Sequence, residues 1–173
     1  MSTPPLVNRV ANSRLLTFKL EEYLPEAGVK FAHFDLKDYL FMEMILKEKD
    51  FRAALAEHDW EQYRGKILLV YCSADAIIPV WAYMLTATYA APAAVDVFQG
   101  SEAEYYKAYF LRKLAGLDPA LYEDQRVVVK GCSDRPVPEA AYLEITRRLR
   151  PVAKSIMYGE PCSTVPIYKA AKK

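Results

Sequence analysis

"KILLVYC", from Lys66 to Cys72, is the stretch on which the fold turns. A strand with one wet face alternates apolar and polar residues. This one runs Ile67, Leu68, Leu69, Val70, Tyr71 without a break, directly after Gly65. A continuous apolar run of that length reads as a strand buried on both faces, the habit of parallel sheets covered by helices. Three further segments have strand character: "AVDVF" (Ala94 to Phe98), "RVVVKG" (Arg126 to Gly131) and "KSIMYG" (Lys154 to Gly159). Helical segments separate them, one after Pro79, one from Glu102 to Leu114 ahead of Gly116, and one from Pro138 to Leu149 ahead of Pro151. Proline at a helix start and glycine or proline just past its end are the expected punctuation. Strand–helix–strand alternation predicts parallel pairing through right-handed crossovers. The expected fold is therefore α/β, a three-layer sandwich with a mainly parallel sheet.

Upstream, Leu15 to Leu20 and Lys30 to Asp35 look like short strands around a turn at Pro25–Gly28. From Leu36 to His58 apolar residues recur at helical spacing through Leu40, Met44, Phe51 and Leu55, which predicts one or two helices. No linker-like stretch marks a boundary. The chain is thus expected to form one domain over residues 1–173, with 1–60 an N-terminal elaboration and 61–173 the strand–helix repeats.

Composition limits the function classes. The chain has 173 residues, 53% hydrophobic and 26% charged, which is globular and not disordered. A formal charge of +1, with acidic and basic residues interleaved as in "LKEKDFR", gives no footprint for nucleic acid or for an anionic membrane surface. Ala76 to Val95 is uncharged but contains Pro79 and Pro92, and it reads as a buried helix leading into a strand. An odd number of cysteines and no apolar leader point to a reducing cytoplasm.

The candidate chemistry lies in the cysteines. All three are followed by serine: Cys72–Ser73, Cys132–Ser133 and Cys162–Ser163. With seven serines in 173 residues, three such pairs arise by chance about once in ~15,000 draws. Chance is rejected. The first two pairs carry an aspartate close behind (Asp75, Asp134), then share P-x-x-A-Y in Pro79–Tyr83 and Pro138–Tyr142. One strand–CS–loop–P–helix device is used twice, with a truncated version at Cys162. Cys72 and Cys132 fall at the C-terminal ends of expected strands, the edge where α/β proteins collect ligands. If those strands are neighbours in one sheet, the thiols converge.

Three readings follow. The first makes Cys72, Cys132 and Cys162 ligands of zinc, iron or an iron–sulfur cluster, with Ser73, Ser133, Ser163, Asp75 and Asp134 around it and His33 as a further donor. No C-x-x-C pair, the specific mark of structural zinc, is present. The second makes one thiol the nucleophile of an enzyme acting on a small molecule. That needs a base, and the chain has two histidines: His58 reads as a solvated helix end, and His33 lies on an alternating strand. The third has the thiols inert and packed, with serine and aspartate capping the following helices. Asp38 is expected to cap a helix. Tyr105, Tyr106, Tyr109 and Phe110 form an aromatic stripe belonging to the core or to a subunit contact, and a homodimer fits it. No phosphate-binding glycine loop, serine-nucleophile elbow or HExxH motif occurs.

Three stretches, "CSADAIIPVWAYM", "VVVKGCSDRPVPEAAYLEIT" and "SIMYGEPCSTVPIYK", together with "LKEKDFR" and "HDWEQYRGK", resemble the bacterial family catalogued as domain of unknown function 2480, found mainly in Bacteroidetes. The resemblance covers nearly the whole chain and departs at no cysteine. It implies no activity and assigns no catalytic residue. It does imply a link to iron–sulfur assembly proteins as partners, which leans the same way as the cysteines.

Overall fold

The computed structural model describes residues 15–25, 28, 30–131, 136–160 and 163–171. Among these the chain is α/β, with four α-helices and sheets dominated by parallel strands. Two compact units are present. Residues 25–105 form one, and the segments before and after them form the other.

In the continuous unit, "KILLVYC" does become a central strand. Strands β2 (Lys30–Asp35), β5 (Lys66–Tyr71) and β6 (Asp96–Gln99) form a parallel sheet in the order β2-β5-β6, and β5 is buried through Ile67, Leu68, Leu69 and Val70. Helices α1 (Glu48–Glu57) and α2 (Val80–Ala90) supply Phe51, Leu55, Ala82 and Ala90 to a core with Phe34, Leu68 and Val70. In the second unit, β1 (Leu15–Phe18), β7 (Arg126–Val129) and β8 (Ser155–Glu160) run parallel, and β9 (Ser163–Lys169) closes the order β1-β7-β8-β9 antiparallel. Its core joins Phe18, Val127, Val129 and Ile156 to Phe110 and Leu114 of α3 (Glu102–Ala115) and to Ala141, Ile145 and Leu149 of α4 (Glu139–Leu149).

The two units are built alike. Identical residues recur 59 apart along their helix–strand–helix–strand runs: Phe51 with Phe110, Leu55 with Leu114, Asp59 with Asp118, Tyr63 with Tyr122, Pro79 with Pro138, Ala82 with Ala141, Tyr83 with Tyr142 and Gly100 with Gly159. Backbone details follow the same spacing. Asp59 and Asp118 each cap a 3-10 turn, accepting from the N–H two residues on. Gly65 and Asp124 both take positive φ. Pro79 and Pro138 each precede an 11-residue helix with φ −61°. Before those runs, "FKLEEYL" (Phe18 to Leu24) matches "FDLKDYL" (Phe34 to Leu40), and in each the phenylalanine stacks on the tyrosine, at 5.3 and 5.1 Å. The continuous unit is inserted after the first such segment of the other.

Several expectations change. The four main strands do not share one sheet, since β5 and β6 belong to one unit and β7 and β8 to the other. Leu36 to His58 is only partly helical. A 3-10 turn at Leu36–Tyr39 leads into a hairpin of β3 (Leu40–Phe41) and β4 (Ile45–Leu46), and helix begins at Glu48. Met42 and Glu43 at the hairpin tip take φ of 52° and 58°, a primed turn that apolar spacing does not reveal. Asp35, not Asp38, caps the 3-10 turn, accepting from Lys37 N–H. The tail "STVPIYK" is a strand, and Pro166 is tolerated there because β9 lies at the sheet edge. His58 is half-buried rather than solvated, ringed by Phe34, Trp60 and Tyr63 at centroid distances of 5.4, 4.7 and 5.6 Å. Tyr105 and Phe110 of the aromatic stripe are both buried.

Candidate functional site

The C-terminal ends of β2, β5 and β6 open onto a cleft of about 550 Å³ lined by His33, Tyr71, Cys72, Tyr83, Gln99 and Glu102, among others. Each wall has a local cause. β5 delivers Tyr71 and then Cys72, which is half-buried and free of any disulfide. The chain turns there because Asp35, at the end of β2, accepts hydrogen bonds from the N–H of Ser73 and of Lys37, both at 3.0 Å. Burial pushes the Asp35 carboxyl up, but the bonds from Ser73 and Lys37 outweigh it and hold the group below its ordinary value. The Cys72–Ser73 peptide is thereby pinned to the neighbouring strand. The Cys72 thiol donates weakly to Ala74 O at 3.5 Å.

The far wall is the start of α3. Gly100, at φ 130°, turns the chain out of β6. Ser101 N–H and Oγ–H donate to Glu104 Oε2 at 2.8 and 2.7 Å, and Glu104 N–H donates back to Ser101 Oγ at 3.4 Å. This capping box fixes the helix entry. Glu102 stands beside it with Oε1 3.9 Å from His33 Nε2, and both side chains are about half exposed. The His33 ring meets Tyr71 edge-on at 5.9 Å. Tyr83, from the second turn of α2, has its phenol raised by burial and then by the Cys72 charge. Thiol, imidazole, phenol and carboxylate thus share one cleft, able to hold a small polar molecule against a soft nucleophile.

Of the residues singled out in the sequence, Cys72 and His33 line this cleft. Ser73 contributes its backbone N–H to the turn, and Asp75 is exposed. Neither caps α2, whose N-cap is Pro79. Ser163 opens β9. Cys132, Ser133, Asp134 and Cys162 lie outside the described residues, so the three-cysteine site is not on view. Among the described residues no group of three or more His, Cys, Asp or Glu could hold a metal ion. Tyr83 was singled out only as part of the repeated P-x-x-A-Y, and Gln99 and Gly100 were not anticipated. Ser101-x-x-Glu104 ahead of an apolar helix was the available signal for the far wall.

Fold and site define a two-unit, mainly parallel α/β protein with a thiol-bearing cleft at its strand ends. The family model described as Protein of unknown function (DUF2480) matches residues 4–170, and the chain belongs to that family. No curated protein and no solved structure matches it. No described helix is long and apolar enough to cross a membrane.

Proposed function

We propose that the chain binds a small molecule in the β2–β5–β6 cleft and uses the Cys72 thiol on it. The observation that carries this reading is the placement of Cys72, His33, Tyr83 and Glu102 around one open volume at the strand ends. A merely structural thiol has no need of titratable neighbours. Cys72 sits at the switch from sheet to loop, where α/β proteins place reacting groups. The test is site-resolved alkylation of native protein with iodoacetamide, quantified by peptide mapping. Cys72 is expected to react within about tenfold of a free thiol; a rate some hundredfold slower marks an inert thiol and ends the reading.

A second reading is favoured by the three Cys-Ser pairs, the first two of which follow the central strands β5 and β7 of the two units. Here Cys72, Cys132 and Cys162 hold zinc, iron or an iron–sulfur cluster in the cytoplasm, working with iron–sulfur assembly proteins. Elemental analysis and an absorption spectrum of protein purified without oxygen decide it. Iron with acid-labile sulfide, or stoichiometric zinc, supports the site, and each Cys→Ser change then removes the metal. Protein still empty after reconstitution overturns it. A homodimer is the partner proposed for either reading, supported by exposed Ile77, Val80 and Met84 around the start of α2. Light scattering at the monomer mass removes it.

A further inference from the structure

We infer that the cleft takes a planar aromatic ring bearing a hydroxyl or similar polar group, the class of small phenols. This rests on the proposed small-molecule reading and names the ligand class for the same cleft. In the matching unit the equivalent place is occupied by the protein itself. Pairing registers set Gln99 opposite Val70 and Tyr158 opposite Val129, positions 59 residues apart in each case. Val97 and Ile156 both join the helix-covered cores, so Gln99 and Tyr158, two residues on, lie on that same side. Tyr83 and Tyr142 correspond, as do Gly100 and Gly159, and Cys72 corresponds to Gly131.

In the unit containing β8, the Tyr158 ring stands edge-on to Tyr142 at 5.8 Å and lies across the end of the central strand. A Cβ at Gly131 would come within 2.8 Å of its Cζ and 2.9 Å of its hydroxyl. The strand end is capped by a phenol. In the unit containing β5, the tyrosine that receives such a ring is retained as Tyr83, but Gln99 brings no ring, and the space stays open at about 550 Å³. The counterpart of the Tyr158 ring is missing here, and the open cleft has room for a free one. The Cβ of Cys72 takes the room that Gly131 leaves free, so the ring of a ligand sits further out, over the thiol and beside His33 and Glu102. Those two groups supply an acceptor and a donor for the hydroxyl. Sulfur against a ring is itself a favourable contact.

The probe is p-cresol, the tyrosine side chain as a free molecule, with 4-methylcyclohexanol as its non-aromatic match. At about 10 mM, p-cresol is expected to slow Cys72 alkylation roughly threefold or more in the native protein, while the alcohol leaves the rate within error. Saturation-transfer NMR should show p-cresol binding, weakened roughly tenfold or more by Tyr83→Leu. The double variant Cys72→Gly with Gln99→Tyr recreates the capped end, and if it folds by circular dichroism it should bind no p-cresol. Absence of a saturation-transfer signal from wild type, or equal protection by both probes, overturns the inference. The two failures are separable, because saturation transfer does not depend on the thiol: a ring that binds beside an unreactive Cys72 defeats the thiol reading and keeps the ligand class.

Discussion

His58 occupies the position that Leu117 holds in the matching unit, yet it is an imidazole set among rings. Both ring nitrogens have polar neighbours: the Tyr63 hydroxyl at 2.8 Å and the Gln62 amide nitrogen at 3.3 Å lie by Nε2, and the Tyr39 hydroxyl lies 3.4 Å from Nδ1. Burial pushes the His58 pKa below 6.5, against an opposing pull from Asp59. The native state therefore binds fewer protons here than the unfolded chain, and stability is full above about pH 6.5 and falls as pH drops below it. Tyr63 acts at the other end: burial first, then Tyr39 and Asp59, push it up to about 12, so its contribution is full below about pH 10 and lost as pH rises towards 12. Urea midpoints between about pH 5 and 8 should fall on the acid side in wild type and lose that acid-side slope in His58→Leu. An unchanged slope would place the titrating group elsewhere. Sequence alone missed this because the rings come from three separate elements, and only folding gathers them.

At the scale of elements, the six parallel strands and the last three helices were legible because apolar runs and proline or glycine stops each signal one thing. Leu36 to His58 misled because a 3-10 turn, a hairpin and a helix in succession can imitate one helical period. The joints can be tested. Ser101→Ala removes the hydroxyl that Glu104 N–H and Glu104 Oε2 share at the start of α3, and should cost about 1 kcal/mol. Gly65→Ala meets no neighbour within 4 Å and suffers only its φ of 72°, about 1–2 kcal/mol. Gly159→Ala carries φ 122° and also drives a Cβ to 2.5 Å from Ser163 O on the paired strand β9, so its loss should exceed that of Gly65→Ala. Thermal or urea unfolding of the three variants gives the order directly. Gly65→Ala as the worst of them would contradict the β8–β9 geometry.

At the scale of the whole molecule, the repeat was half legible. The shared P-x-x-A-Y and Cys-Ser pairs are its surface trace, but the cysteines are 60 residues apart while the strands, helices and prolines keep a spacing of 59, so the loop shifts by one between copies. Such a slip hides a duplication whose identities are otherwise spread over buried positions. The insertion of one unit into the other hid it further, by parting β1 from the rest of its sheet. The site was legible to the extent of Cys72 and its strand end; the far wall arrives from a helix thirty residues on. The repeat also predicts an energetic symmetry. Leu55 and Leu114 are counterparts, each fully buried, in cores that have no residue in common. Leu55→Ala and Leu114→Ala should therefore each cost about 2–5 kcal/mol, with the pair alike because helix, neighbours and depth correspond. In the double variant, measured by urea in trimethylamine oxide to keep a folded baseline, the losses should add to within ~0.5 kcal/mol. A shortfall or excess of a kilocalorie or more would show that the two cores respond to each other, and the units would then have to be treated as one cooperative body.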